Sequence, residues 1–132
     1  MKSQIPTWIL VYGGIIGVFG LGAGLFGLYS PKPFAPDLAL DRMAVWSNAS
    51  RNVALGVGIC IALLLRNPSA IFVVFCTLFL VDSIDLGARL VDHKSRGVAV
   101  SLFSVVPVLL FSLSYAFIAF KMWPMVKVEN PL

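Results

Sequence analysis

Four long apolar stretches dominate the sequence and constrain the kind of solvent in which this chain can fold. Each is long enough to cross the hydrocarbon core of a bilayer, which takes about 20 residues of helix. Only 12% of the 132 residues are charged and 59% are hydrophobic. A soluble domain of this length has too little interior to bury so many apolar side chains. The sequence therefore predicts an integral membrane protein with spans at about residues 8–29, 45–65, 70–91 and 98–122.

The connections between the stretches predict how the spans are arranged. A proline-rich loop covers about residues 30–44, whereas RNPS at 66–69 and DHKSRG at 92–97 are short. We expect Ser69 to cap the third helix, because serine side chains accept hydrogen bonds from the first turn. Short connections make neighbouring helices antiparallel. The predicted fold is all-α, an up-down four-helix membrane bundle that forms a single domain over residues 1–132.

The net charge of +4 comes from basic residues scattered along the chain. Nucleic-acid binding requires a basic stripe on a water-exposed face, so no nucleic-acid partner is predicted, and the lipid bilayer is the expected partner of these charges. Counts of lysine and arginine on the two sides are nearly balanced and lean slightly towards a cytoplasmic long loop. The length of that proline-rich loop instead favours the translocated side, so we predict cytoplasmic N- and C-termini.

Glycines recur at steps of four and three along the first predicted helix, which places them on one face. Small residues at this spacing let membrane helices approach each other closely. Two interpretations stay open, because the face can pack inside the bundle or can join two copies of the chain in a homodimer. The glycines are Gly13, Gly17, Gly20, Gly24 and Gly27.

The third apolar stretch ends in FLVDSIDLGARLVD, which places charges where lipid is expected. Asp82, Asp85, Arg89 and Asp92 follow one another at steps of three, four and three, so they share one face of a helix. An unpaired charge at the middle of a membrane helix costs about 2.5–3.5 kcal/mol on insertion scales. This cost predicts that the charged stripe faces the interior of the bundle.

The second helix supplies a partner for this stripe. At about 1.5 Å per residue, Arg51 and Asp85 each lie about 9 Å inside the same side of the membrane. We therefore predict a cluster that is either a ligand-binding site or a set of ion pairs, with Gly56 leaving room beside the deepest carboxylate. Its members are Arg51, Asn52, Asp82, Asp85 and Arg89.

Two functions are compatible with this cluster. In the first, it is a water-accessible pocket that binds or transports a proton, a cation or a small polar ligand, and Ser101 and Ser104 beside Pro107 line it. In the second, the charges only lock helices in register, and the protein is an accessory subunit or scaffold of a membrane complex.

Other chemistry has little support in the sequence. Cys60 and Cys76 lie inside apolar stretches and are best interpreted as small buried side chains. A nucleophile–base pair, a metal-ligand set and a nucleotide-binding loop are all missing from the sequence, so no cofactor and no metal are predicted and an enzyme is the least favoured class.

Two segments resemble a known family. They are SRNVALGVGICIALLLRNP at residues 50–68 and VDSIDLGARL in the third helix. An arginine followed by ALG early in helix two, with an aspartate late in helix three, is similar to small four-helix bacterial membrane proteins related to DoxX, and closest to their uncharacterised relatives. The resemblance covers about residues 8–122 and implies a four-helix bundle in the bacterial inner membrane, with no established reaction.

Overall fold

The structure is a computed structural model that describes residues 5–30, 42–96 and 102–129. Within these ranges the chain forms four α-helices and no strand. Each helix contains a segment long and apolar enough to cross a membrane. The predicted all-α class with four membrane-spanning helices is therefore confirmed. The helices are α1 (Thr7–Tyr29), α2 (Arg42–Leu65), α3 (Pro68–Arg96) and α4 (Leu102–Glu129).

The ends of the helices follow from local sequence, and several differ from the predicted bounds. α1 ends before Ser30, which is extended (φ −141°) because the next residue is a proline. α3 begins at Pro68, so Ser69 lies inside the helix and the predicted serine cap is wrong. Proline suits the first helical position, where its missing N–H has no partner to lose. α2 begins at Arg42, inside the predicted loop, and residues 31–41 of that loop lie outside the described residues.

The fourth helix differs most from its prediction. It runs to Glu129, although the span was predicted to end at about residue 122. Pro107 and Pro124 both lie inside the helix. Membrane helices tolerate such prolines because neighbouring groups satisfy the carbonyls that they leave free. The helix therefore continues past Pro124, beyond the predicted end of the fourth span.

By its internal contacts the chain divides into two compact units, Met1–Asn67 and Pro68–Leu132. The first contains the hairpin of α1 and α2, and the second contains the hairpin of α3 and α4. The prediction of one domain over the whole chain stays a prediction.

Glycine allows the first hairpin to pack backbone against backbone. A Cβ added at Gly24 would lie 2.7 Å from the backbone nitrogen of Val53 and 2.8 Å from the carbonyl oxygen of Ala49. A Cβ added at Gly56 would lie 2.7 Å from the backbone nitrogen of Leu21. Real Cβ atoms do not approach backbone atoms this closely, so these two positions require glycine.

Contacts of α1 with α2 run in antiparallel order. Gly17 lies beside Cys60, and Gly27, nearer the end of α1, lies beside Ala49 near the start of α2. This order agrees with the up-down connection predicted from the sequence. Four of the predicted glycines are buried, namely Gly13, Gly17, Gly24 and Gly27.

The second hairpin packs through aromatic and aliphatic side chains. Phe75 of α3 is 1% exposed, and its ring centroid lies 5.9 Å from that of Tyr115 in α4. Phe72 lies 5.4 Å from Trp123 by the same measure. These pairs set α4 antiparallel to α3, and they fix the depth at which their residues meet.

Each helix also has an exposed apolar face, as a membrane protein requires, because lipid tails solvate such side chains. Among the exposed residues are Val11, Ile15, Val18 and Phe19 in α1, Ile61 and Leu64 in α2, Val73, Leu80 and Ile84 in α3, and Leu110, Leu113 and Phe120 in α4.

Candidate functional site

The candidate site begins where the buried face of α3 changes from apolar to acidic. Ile71, Phe75 and Leu78 are buried at steps of four and three, and the same steps lead to Asp82 and Asp85. Both aspartates are half-buried. Residues at these steps share one face of a helix. The carboxylates therefore continue the stripe of side chains that the N-terminal part of α3 buries.

The opposite face of α3 carries the exposed side chains, Val73, Leu80 and Ile84 among them. Leu80 and Ile84 each lie two positions from Asp82, which corresponds to a turn of about 200° around the helix, so this exposed face and the aspartate stripe lie on opposite sides. Asp82 and Asp85 therefore lie away from the exposed apolar face, and the prediction that the whole charged stripe faces the interior of the bundle stays a prediction.

Asp82 is also deep along the helix. It lies 14 positions after Pro68, which corresponds to about 21 Å of helix. The apolar segment of α3 continues to Ala88, about 9 Å beyond Asp82. A carboxylate at this depth, inside an apolar segment, loses most of its hydration unless polar groups or water reach it.

A serine pair links α3 to α4 one position after Asp82. The Oγ atoms of Ser83 and Ser112 lie 3.4 Å apart, and Ser112 is only 5% exposed. Ser83 donates its single hydroxyl hydrogen to the carbonyl oxygen of Phe79 at 2.7 Å. The hydroxyl of Ser112 is therefore the donor between the two serines.

The first hairpin carries the basic part of the predicted cluster. Arg51 of α2 donates from Nη2 to Oδ1 of Asn48 at 2.6 Å. Both side chains are half-buried, as is Asn52. Asn48 was not predicted as a member of the site, although its position three residues before Arg51 is a spacing at which helix side chains meet.

The structure places the remaining predicted residues as follows. Gly56 packs against α1, where Leu21 and Gly17 are its neighbours, and its role beside a carboxylate stays a prediction. Ser101 lies outside the described residues, and so do the side chains of Arg89 and Ser104. The predicted meeting of Arg51 with Asp85 would join the two units and stays a prediction.

The glycine face of α1 is used inside the chain. Gly17, Gly20, Gly24 and Gly27 all have α2 as their neighbour, which is the packing interpretation of their spacing. A second copy would have to displace α2 to reach the same glycines, and the homodimer stays a prediction. Gly14 and Gly22, which belong to no predicted face, have open space where a Cβ would lie.

Both cysteines are free thiols. The sulfur of Cys60 lies 3.1 Å from the position that a Cβ on Gly17 would occupy, so this side chain fills space next to the glycine face. Among the residues that the structure describes, no three His, Cys, Asp or Glu side chains are grouped as a metal site requires.

No family model, curated protein or solved structure matches the chain. Two half-buried carboxylates and a buried hydroxyl lie in the second hairpin, and an arginine–asparagine pair lies in the first.

Proposed function

We propose that this protein is a membrane binding or transport unit for a proton, a cation or a small polar ligand. The observation that carries the proposal is the change on α3, where the stripe of Ile71, Phe75 and Leu78 continues as Asp82 and Asp85. An ionisable side chain inside a membrane span is costly, and such residues usually mark an ion or substrate pathway.

The chemistry of the described side chains favours a positively charged or hydrogen-bond-donating ligand. Ionised aspartates only accept hydrogen bonds. Ser112 and Ser83 add hydroxyl oxygens that can also accept. A cation or a proton would compensate the carboxylate charge inside the span, which lowers the electrostatic cost of placing aspartates there.

Proteoliposomes containing a trapped pH-sensitive dye test the proposal. After a pH step, and with a potassium gradient and valinomycin to compensate charge, the wild-type protein should change the internal pH faster than empty vesicles. A second series, with sodium inside and a sodium-sensitive dye, tests a cation in place of the proton. Whichever flux the wild-type protein shows, of protons or of sodium, Asp82→Asn should reduce it to the level of empty vesicles. The amide keeps the shape of the side chain but cannot hold a charge or exchange a proton.

Asp41→Asn is the matched control, since it makes the same chemical change in the long loop and should leave the flux unchanged. Equal flux from wild type and Asp82→Asn in both series would overturn the transport proposal. Unfolding of the Asp82→Asn variant in detergent would also count against it, because a ligand-binding carboxylate is not needed for folding.

A structural function is the second candidate, and one observation favours it. The Oγ atoms of Ser83 in α3 and Ser112 in α4 lie 3.4 Å apart, so polar side chains next to Asp82 already join two helices, as a lock between helices would. In this case the protein is an accessory subunit or scaffold of a membrane complex. The unfolding outcome of the previous experiment would support this candidate.

The cellular setting belongs to the same proposal. The four apolar helices and the segments at residues 50–68 and 81–90 support a relative of the DoxX-related proteins in the bacterial inner membrane. We further propose that both termini are cytoplasmic, because this places the long proline-rich loop on the translocated side.

A further inference from the structure

Two stripes of buried side chains face each other along the α3–α4 hairpin. The stripe of α3 is the one that continues as Asp82, and it contains Phe75. The rings of Phe75 and Tyr115 lie 5.9 Å apart, so the stripe of α4 that contains Tyr115 packs against it. The buried residues of that second stripe recur at steps of three and four and include Ser112, Tyr115, Ile118 and Met122.

Asp82 and Ser112 lie at nearly the same depth on these two stripes. The contact between Ser83 and Ser112, with 3.4 Å between their Oγ atoms, marks one level of the hairpin. Asp82 precedes Ser83 by one residue, which is about 1.5 Å along the helix axis. The carboxylate of α3 and the buried hydroxyl of α4 therefore belong to facing stripes at one level.

The hydrogen bonds of the serine pair run in one direction. Ser83 gives its hydrogen to the carbonyl oxygen of Phe79, so Ser112 gives its hydrogen to Ser83. A hydroxyl group has one hydrogen to donate and two lone pairs that accept. While this chain is intact, the oxygen of Ser112 can accept a hydrogen bond or bind a cation, but it has no hydrogen to offer a carboxylate.

This direction makes Ser112 sensitive to the state of Asp82. An ionised carboxylate only accepts hydrogen bonds, so Ser112 gives nothing to the empty, ionised form. A protonated carboxyl group can donate to the Ser112 oxygen, and a hard cation on the carboxylate can take that oxygen as a further ligand. A contact that exists in only one of two states shifts the equilibrium towards that state.

We propose that Ser112 stabilises Asp82 only when the carboxylate carries a proton or an alkali cation, and that Ser83 is the positioning residue that keeps Ser112 in this orientation. The inference rests on the proposed function, since it requires that Asp82 is loaded and unloaded. Among the described side chains of the two facing stripes, Asp85 and Tyr115 are the other titratable groups. A single contact of this kind corresponds to about a tenfold change in loading.

Loading is measured at equilibrium, without flux, on the purified full chain in nanodiscs. In one series, infrared difference spectroscopy with isotopically labelled aspartate follows the band of the protonated carboxyl group as the pH is lowered. In a second series, equilibrium dialysis with radioactive sodium follows a bound cation at a pH where the carboxylate is ionised. Asp82→Asn identifies the part of each signal that belongs to Asp82, and the two series separate a proton from an alkali cation.

Whichever series shows loading of the wild type, Ser112→Ala should weaken that loading about tenfold. Ser112→Thr keeps the hydroxyl group and should load as the wild type does. Ser83→Ala releases the hydrogen of Ser112, which then turns to the ionised carboxylate and stabilises the empty state. This variant should therefore weaken loading by a similar factor, although Ser83 itself does not bind the ligand.

Thr77→Val is the matched control for Ser83→Ala. The hydroxyl of Thr77 donates to the carbonyl oxygen of Val73 at 2.9 Å, which is the same bond, four residues back, that Ser83 makes to Phe79. Valine keeps the shape of the threonine side chain and leaves the serine pair untouched. Thr77→Val should therefore load as the wild type does.

Loading of Ser112→Ala or of Ser83→Ala at the wild-type level would overturn this inference and leave the proposed function intact. If Ser112→Ala also lowered stability in a denaturant titration while its loading stayed unchanged, the serine pair would be only a lock between α3 and α4. A wild-type protein without Asp82-dependent loading in either series would overturn the proposed function itself, and the inference with it.

Discussion

Gly24 lies against the backbone of α2 on two sides, at Val53 and Ala49. Gly24→Ala should therefore lower the free energy of unfolding by about 1–3 kcal/mol, the usual cost of forcing a methyl group into a filled space. Gly14→Ala is the matched control, because a Cβ there meets nothing. It should leave stability unchanged or raise it by up to about 1 kcal/mol through helix propensity. Denaturant titration in mixed micelles measures both, and equal effects of the two variants would contradict the close packing.

Individual residues show where sequence reasoning succeeds and where it stops. Spacing alone placed Gly17 and Gly24 on one face, because helix geometry is local. The same spacing could not decide between α2 and a second copy as the partner, since either would need small residues. The pair Ser83–Ser112 was also missed, because the depth at which α3 and α4 meet depends on how their connection folds, and no local pattern encodes that.

At the scale of elements, the α3–α4 hairpin depends on Phe75, which is 1% exposed. Phe75→Ala should lower the free energy of unfolding by about 1–3 kcal/mol, below the usual 3–5 for this change, because lipid already solvates apolar groups and mainly the cavity remains as a cost. Phe120→Ala removes an equally large side chain that is 73% exposed, so it should have little effect. Denaturant titration in mixed micelles measures the free energy of unfolding of both variants. A smaller loss of stability for Phe75→Ala than for Phe120→Ala would refute this packing.

The existence of the four helices was predictable from the sequence, whereas their ends were less so. Runs of about 20 apolar residues are a strong signal, because lipid allows few alternatives to a helix. The ends depend on single residues such as Pro68 and Pro124, and proline is permitted at a first turn and inside membrane helices alike. For the site, the aspartate stripe was predictable from periodicity, and Asn48 was available from its three-residue spacing to Arg51.

At the scale of the whole molecule, orientation is the property to test. If both termini are cytoplasmic, Ser30→Cys should react with a membrane-impermeant maleimide in intact cells, and Asn67→Cys should react only after lysis. Ser30 follows α1 and Asn67 lies between α2 and α3, so they end on opposite sides of the membrane. The wild-type chain is the control, because Cys60 and Cys76 are half-buried within spanning segments. The reverse labelling pattern would invert the proposed topology.

The close contact of α1 with α2 has a consequence for how the protein is made. Every neighbour that Gly24 and Gly56 require is supplied by the first 67 residues, which form a compact unit of their own. Translation delivers the N-terminal part first, and units of this kind generally fold as they emerge. The first hairpin can therefore pair in the bilayer while the ribosome is still synthesising α4, and a defect at Gly24 would be presented to cellular quality control before the chain is complete.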